Sequence, residues 1–148
     1  GKDEFFQTLV YSMIDTYSTD EVNIYLIDFG AETLINYLDA PQVGDVVLSS
    51  DDEKLYNLIK YLYATMTKRK KMFTQYGGNY SGYIQHSGEK MPSIVVCINS
   101  IDIMNELYAE ILEKYISVIR EGAKYGIYFV ITVNTPNGMR FKLKQNFS

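Results

Sequence analysis

Three short apolar segments of the sequence each end on a polar side chain that could contact a ligand. These side chains are a carboxylate, Asp28, and two amides, Asn99 and Asn134. Each follows a nearly unbroken, β-branched run, which is typical of a strand buried on both faces of a parallel sheet. Because ligands of open α/β sheets bind just beyond the carboxyl ends of such strands, we expect the three residues to gather at one rim. Such a rim, with a helix starting beside it, is the layout of a nucleotide site.

The start of the chain could supply the phosphate-binding part of that site. Gly1 and Lys2 look like the last glycine and the lysine of the motif G-x-x-x-x-G-K-[ST], in which backbone N–H groups and the lysine hold phosphates while the hydroxyl holds Mg²⁺. Asp3 stands at the hydroxyl position. A carboxylate there could touch Mg²⁺, but at about 4 Å from a phosphate it costs on the order of 4 kcal/mol in an effective dielectric near 20. The alternative, that Gly1 and Lys2 are an arbitrary chain start or tag residues, stays open.

Helix and strand patterns alternate along the chain. The alternation predicts a mostly parallel sheet with helices on both faces, joined by right-handed crossovers. Helical spacing of apolar residues covers 5–17, 31–38, 51–76 and 103–125. Pro41 and Gly44 predict a break, residues 77–92 a surface loop with one helical turn, and residues 136–138 a turn.

Two of the predicted helix starts carry capping signals. Ser50 and Glu53 have the spacing of a capping box, and Asp102 can cap the helix that follows the second strand. The basic residues 68–71 lie in the closing turns of a helix, where cations are favoured. They could grip phosphates, but a solvated helix end is the simpler interpretation.

Composition and charge limit the classes of function. The length of 148 residues favours one domain, 1–148, with its own core. A net charge of -4 argues against binding nucleic acid over the whole surface. The single cysteine, Cys97, lies in an apolar run, which indicates a reducing compartment and an unreactive thiol. No metal site is expected at His86, which lacks partners at metal spacing, and no apolar run reaches the roughly 20 residues that span a bilayer.

Four segments, in this order, carry a resemblance to a known family. They are Leu-Ile-Asp-Phe-Gly at 26–30, Lys-Arg-Lys-Lys-Met-Phe at 68–73, the apolar run at 92–100, and the run at 126–136 that ends in a polar residue and a proline. Together they resemble the RecA-like ATPase domain of the FtsK/SpoIIIE translocases. The chain looks most like a tandem ATPase domain of the EssC-type motor of bacterial type VII secretion. The resemblance implies an α/β fold with a RecA-like P-loop NTPase core, of which this chain is a fragment, and ATP with Mg²⁺ as cofactors.

The resemblance also assigns positions in the site, where the chemistry is altered. The family ends its Walker B strand in Asp-Glu, which orient Mg²⁺ and polarise the attacking water, whereas Asn99 and Ser100 stand here. Neither is a base near neutral pH, and losing a general base typically costs about 10²–10⁴ in rate. Asn134 matches the family's sensor of the γ-phosphate but could instead cap a turn, and Asp28 could be either an acid of the rim or a structural strand end.

These assignments leave a short set of expected site residues. No residue is assigned as catalytic, and Mg²⁺ is expected only with the nucleotide, through Asp3. The expected nucleotide-binding residues are Gly1, Lys2, Asp3, Asp28 and Asn134. Arg140, Lys142 and Lys144 could contact a neighbouring subunit's nucleotide as an arginine finger does, or form an exposed basic segment.

The altered positions favour a degenerate ATPase-fold module with weak or absent hydrolysis, acting in assembly, regulation or substrate recognition during protein export. The alternatives are an active ATP-hydrolysing motor and, less favoured, a DNA translocase. The implied partners are neighbouring ATPase domains of the same motor and small helical secreted proteins, without nucleic acid or direct membrane contact. The resemblance places the domain on the cytoplasmic side of the bacterial membrane, in a membrane-anchored parent. Many of the 14 tyrosines fall on helix flanks, which suits half-buried packing or an interface.

Overall fold

The computed structural model describes residues 1–135 and 138–143, with Lys2, Thr135 and residues 138–143 as backbone only. The helices are α1 (Lys2–Thr16), α2 (Asp52–Phe73), α3 (Tyr80–Ser87), α4 (Ile101–Lys114) and α5 (Ile116–Glu121). The strands are β1 (Val22–Asp28), β2 (Val43–Leu48), β3 (Ser93–Asn99), β4 (Ile127–Thr135) and β5 (Gly138–Leu143). Short 3₁₀ helices cover Thr33–Tyr37, Thr74–Tyr76 and Gly122–Tyr125.

The described strands form one sheet in the order β2-β1-β3-β4-β5. The pairs from β2 through β4 are parallel, and β5 is antiparallel to β4. The three strands predicted from apolar runs are therefore confirmed, and so is the mostly parallel sheet. Because parallel strands point the same way, the carboxyl ends of β1, β3 and β4 lie at one edge.

Each face of the sheet is covered by helices, as predicted. Helix α1 packs Phe6 and Val10 against a cluster that includes Ile24, Leu26 and Cys97. The other face packs against α2, α4 and α5 in a larger cluster, whose fully buried members include Leu55, Met66, Val96, Ile98 and Ile127. Successive residues of a strand point to opposite faces, so alternate residues of β1 and β3 enter different clusters. Among the described residues, no helix is both long and apolar enough to cross a bilayer.

Two local predictions are confirmed, one strand was missed, and one helix is longer than predicted. The segment 31–38 contains a short helix, of the 3₁₀ type at Thr33–Tyr37, and it ends before Pro41 as expected. Strand β2 was not predicted; near its start Gly44 gives room to the ring of Tyr25. The loop 77–92 contains α3, whose eight residues exceed one turn because the Asn79 carboxamide caps it, accepting a hydrogen bond from the Gly82 N–H at 2.8 Å.

Both predicted capping signals are wrong, because tertiary contacts use those side chains differently. Helix α2 is preceded by Asp51, whose carboxylate accepts the Leu48 N–H at 2.9 Å, and no capping bond of the Ser50–Glu53 type is present among the described residues. Helix α4 begins after Ser100, so Asp102 lies inside its first turn. The predicted long helix at 103–125 is divided into α4 and α5 at Tyr115 and ends in a 3₁₀ turn.

Candidate functional site

The ends of β1 and β3 lie side by side, and the start of α1 meets them. Asp28 is level with Asn99 in the parallel register. The Asn99 amide donates from Nδ2 to Asp28 Oδ1 at 2.9 Å and to Asp3 Oδ1 at 2.8 Å. Asp28 and Asn99 are fully buried, while Asp3 is partly buried. The structure therefore brings together three residues that the sequence singled out separately.

The oxygen of the same amide is held from β4 by a residue that sequence reasoning missed. Thr132 is buried, and its hydroxyl donates to Asn99 Oδ1 at 3.0 Å. The N–H of Ser100 donates to Thr132 Oγ1 at 3.0 Å. Since Ile98 pairs with Ile131, the next residues along, Asn99 and Thr132, are neighbours. Thr132 lies two residues before Asn134, so the sequence could have shown it as a second polar residue on the same face of the strand. Only the strand register shows that Thr132 is the one next to Asn99.

The Asp28 carboxylate is held by backbone as well as by Asn99. Its Oδ1 accepts the Gly30 N–H at 2.9 Å and its Oδ2 accepts the Leu34 N–H at 3.2 Å. Gly30 was also missed, although it follows the strand directly. A Cβ at Gly30 would lie 2.5 Å from Asn99 Nδ2, so the turn can pass this close only without a side chain.

Asn134 lies at the same end of the sheet but has a different role from the three residues above. It is exposed, and its backbone N–H donates to Asp102 Oδ1 at 2.9 Å. Asp102 therefore ties the first turn of α4 to β4, which replaces the helix-cap role expected for it.

Gly1 precedes α1, and its carbonyl accepts the Phe5 N–H at 3.1 Å. A helix thus begins beside the rim, as expected, with Lys2 as its first residue. Arg140 and Lys142 belong to β5. Lys144 lies outside the described residues.

Comparison with known proteins places this geometry in a family. A model of the FtsK/SpoIIIE family matches residues 1–135. The chain belongs to the FtsK/SpoIIIE family. Membership implies nucleotide and Mg²⁺ binding in general.

Curated relatives of this FtsK/SpoIIIE domain are secretion proteins. The ESX secretion system protein EccC of Geobacillus thermodenitrificans is 28% identical over 147 residues, which is 99% of this chain and 10% of that protein. YukB of Bacillus subtilis is 27% identical with the same coverage, and EssC of Staphylococcus aureus strain COL is 25% identical over 95% of the chain. The chain therefore spans about a tenth of the length of these relatives.

Solved structures agree with the fold. ATPases 2 and 3 of EssC from Geobacillus thermodenitrificans superpose with a TM-score of 0.80 at 27% identity, over 91% of this chain and 26% of that one. Thermomonospora curvata EccC (ATPases 2 and 3), in complex with a signal sequence peptide, gives a TM-score of 0.82 at 23% identity, over 91% of this chain and 26% of that one. The second likeness shows the fold alone.

Ser100, which the sequence resemblance assigns to the second Walker B position, serves the backbone. It is fully buried and left-handed, with φ at 68°, a conformation that costs a residue with a side chain roughly 1–2 kcal/mol. Its carbonyl accepts the N–H groups of Ile103 at 3.1 Å and Met104 at 3.3 Å, which starts α4. The backbone of Ser100 directs the chain into the helix, and its side chain supplies no carboxylate to polarise water.

The basic run at the end of α2 is divided between solvent and core. Lys68, Lys70 and Lys71 are exposed, as a solvated helix end predicts, but Arg69 is buried. The Arg69 guanidinium donates to the carbonyl oxygens of Tyr125 and Pro92, each at 2.8 Å. These carbonyls precede β4 and β3, so Arg69 lies at the amino edge of the sheet, opposite the rim. Burial lowers the pKa of Arg69, and its hydrogen bonds make it structural and not phosphate-binding.

The rim does not fit a magnesium ion. Mg²⁺ requires oxygen ligands in near-ideal octahedral geometry at about 2.0–2.1 Å. Asp3 and Asp28 are carboxylates, but the oxygens that face each other are both bonded to N–H groups of Asn99. The described residues contain no group of three or more His, Cys, Asp or Glu side chains that could hold a metal. An N–H donor therefore stands where the metal would need an oxygen.

Proposed function

We propose that this domain is a degenerate ATPase-fold module of a type VII secretion motor, which hydrolyses ATP weakly or not at all. The observation that carries the proposal is the pair at the end of β3. The Asn99 amide donates its two N–H groups to Asp3 and Asp28. Ser100 is buried, and its backbone directs the start of α4. A general base for hydrolysis must reach the attacking water and accept its proton near neutral pH, and an amide and a hydroxyl do neither.

The proposed role does not depend on ATP hydrolysis and lies in assembly, regulation or recognition of exported proteins. Three tyrosines of α2 support it, since Tyr56, Tyr61 and Tyr63 are exposed by 37%, 47% and 40%. The ring of Tyr63 packs at 5.2 Å from that of Tyr115, and Lys60 lies 5.0 Å from the ring centre of Tyr56. Exposed aromatic rings held in place by neighbours are typical of binding hot spots. Neighbouring ATPase domains of the same motor, or small helical secreted proteins, are the proposed partners.

The proposed nucleotide contacts are Gly1, Lys2, Asp3, Asp28 and Asn134, and the carboxylates of Asp3 and Asp28 already accept hydrogen bonds from Asn99. Mg²⁺ would then arrive only with a nucleotide. The proposed location is the cytoplasmic side of the bacterial membrane, within a membrane-anchored parent, and neither nucleic acid nor direct membrane contact by this domain is part of the proposal.

Steady-state ATP hydrolysis and calorimetric titration of Mg·ATP test the catalytic part, with Lys2→Ala as the matched variant. The expected result is little or no turnover and at most weak binding of Mg·ATP. Turnover that disappears in Lys2→Ala would replace the proposal with an active motor. Salt-sensitive binding of duplex DNA would instead favour a translocase, because phosphate contacts release counterions.

Photo-crosslinking tests the partner surface in cells that contain the parent protein. A benzoylphenylalanine at Tyr63 is expected to capture a neighbouring domain or an exported protein. The same group at Tyr11, which is exposed by 64% on α1, is the control. Equal capture at both positions would show that α2 has no special role.

A further inference from the structure

In the hydrogen bond between α1 and β3, the acidic and the neutral side chain have exchanged positions relative to the motifs of this family. In P-loop NTPases, Mg²⁺ is held between the Ser or Thr of the phosphate loop and the Asp of Walker B. Here the hydroxyl position carries an acid, Asp3, and the Asp position carries an amide, Asn99. The two changes match each other, because the amide donates directly to the acid at 2.8 Å.

The hydrogen-bond chain fixes which end of the Asn99 amide faces the carboxylates. The Ser100 backbone N–H can only donate, so Thr132 Oγ1 accepts it. The Thr132 hydroxyl hydrogen is then directed to Asn99 Oδ1. Nδ2 is left facing Asp3 and Asp28, and each of its two hydrogens has one carboxylate acceptor. A fully satisfied chain of this kind polarises along its length, which strengthens the terminal bonds.

We infer that the side-chain amide of Asn99 takes the place of a divalent cation at this rim and fastens α1 to β1, β3 and β4 without metal. The inference rests on the proposed function and deepens it. A cation bridge forms and breaks with the nucleotide that accompanies it, whereas an amide bridge is permanent. The start of α1 is therefore held in one position whether or not nucleotide is present. This is what a module that does not undergo a cycle of ATP hydrolysis requires.

Packing gives the same conclusion independently of the donors. Asp28 and Asn99 have no exposed surface. The Gly30 turn lies so close that a Cβ there would be 3.2 Å from Asp3 Oδ1 and 2.5 Å from Asn99 Nδ2. An octahedral ion that keeps several waters needs room that this turn occupies.

The inference is tested with metal alone, in the absence of nucleotide. Binding of Mn²⁺ is followed by electron paramagnetic resonance, and the melting temperature is measured in EDTA and in millimolar Mg²⁺ or Mn²⁺. The wild-type protein is expected to bind no Mn²⁺ at this site and to melt at the same temperature in every buffer. Asn99→Asp places a third carboxylate between two others, so its melting temperature in EDTA is expected to fall by on the order of 10 °C.

Two further variants separate the bridge from general effects of charge. Asn57→Asp makes the same change at an exposed position of α2 and is expected to leave both the melting temperature and Mn²⁺ binding unchanged. Asp3→Asn removes the acceptor on α1, and its melting temperature is expected to fall equally with and without metal. This second variant keeps the inference testable if Asn99→Asp does not fold.

Mn²⁺ binding that is present in the wild-type protein and absent in Asp3→Ala would overturn the inference. An Asp3→Asn variant with the melting temperature of the wild type would overturn it as well. These outcomes are independent of the ATPase assay. Nucleotide hydrolysis by a protein that is indifferent to metal in the absence of nucleotide would refute the proposed function and leave the amide bridge in place.

Discussion

Gly30→Ala is the most direct perturbation of the rim, because it adds one methyl group and changes no charge. Gly30 is not in the left-handed region, so alanine can adopt its backbone conformation. The cost arises from the contact, since the added carbon would lie 2.5 Å from Asn99 Nδ2. The buried amide must either tolerate the overlap or move away from Asp3 and Asp28.

The two responses have different costs, and the cheaper one sets the result. Compressing the contact is overpacking, which costs about 1–3 kcal/mol. Moving the amide forfeits two hydrogen bonds to charged groups, at about 1.5–3 kcal/mol each. Replacing glycine also lowers the entropy of the unfolded chain, which returns about 0.4–1 kcal/mol. The expected net loss of unfolding free energy is therefore about 1–1.5 kcal/mol, or roughly 2–6 °C in melting temperature for a domain of this size.

Urea denaturation followed by far-ultraviolet circular dichroism measures this loss, and a double-mutant cycle assigns its cause. In an Asn99→Ala background the overlapping atoms are gone, so Gly30→Ala should cost nothing or stabilise by up to about 1 kcal/mol. A loss of equal size in both backgrounds would refute the argument, because the amide would then not be what the methyl group meets. Wild-type stability in the single variant would refute it as well.

Three other predictions follow from buried groups elsewhere. Arg69→Met should lower the unfolding free energy by about 3 kcal/mol, because it leaves the buried carbonyl of Tyr125 and the partly buried carbonyl of Pro92 without their donor. Lys71→Met, at an exposed position, should change it by less than about 0.5 kcal/mol in the same urea titration. The left-handed backbone at Ser100 predicts that stability decreases in the order glycine, serine, valine at this position. The unfolding free energy of Ser100→Val should be at least about 2 kcal/mol below that of Ser100→Gly, and equal melting temperatures for the two variants would contradict this. Burial raises the pKa of Cys97 to about 12, so its thiol should react with a disulfide reagent only through unfolding, and reaction at the rate of a free thiol would contradict the burial. Because the unfolded thiol loses its proton first, from about pH 8.5, this group's stability contribution is complete below that pH and is lost as the pH rises toward 12.

The sequence by itself determined the central strands and the chemistry at their ends. The runs that end at Asp28 and Asn99 are apolar and β-branched, so they have few alternatives to a buried parallel strand. Parallel strands that start together also end together, which brings those two side chains to one edge. That Asn99 and Ser100 carry no carboxylate is likewise a property of residue type, which no packing can change.

Only the tertiary structure decided which side chains meet. Thr132, and not Asn134, contacts Asn99, because the register between β3 and β4 is set by the packing of whole strands and not by where an apolar run stops. Arg69 and its neighbour Lys70 have similar sequence surroundings, but helical rotation turns one toward two carbonyls and the other to solvent. Asp102 has the sequence position of a cap, yet its carboxylate accepts the N–H of Asn134 in β4. In each case the deciding partner is distant in the chain, so local pattern carries no information about it.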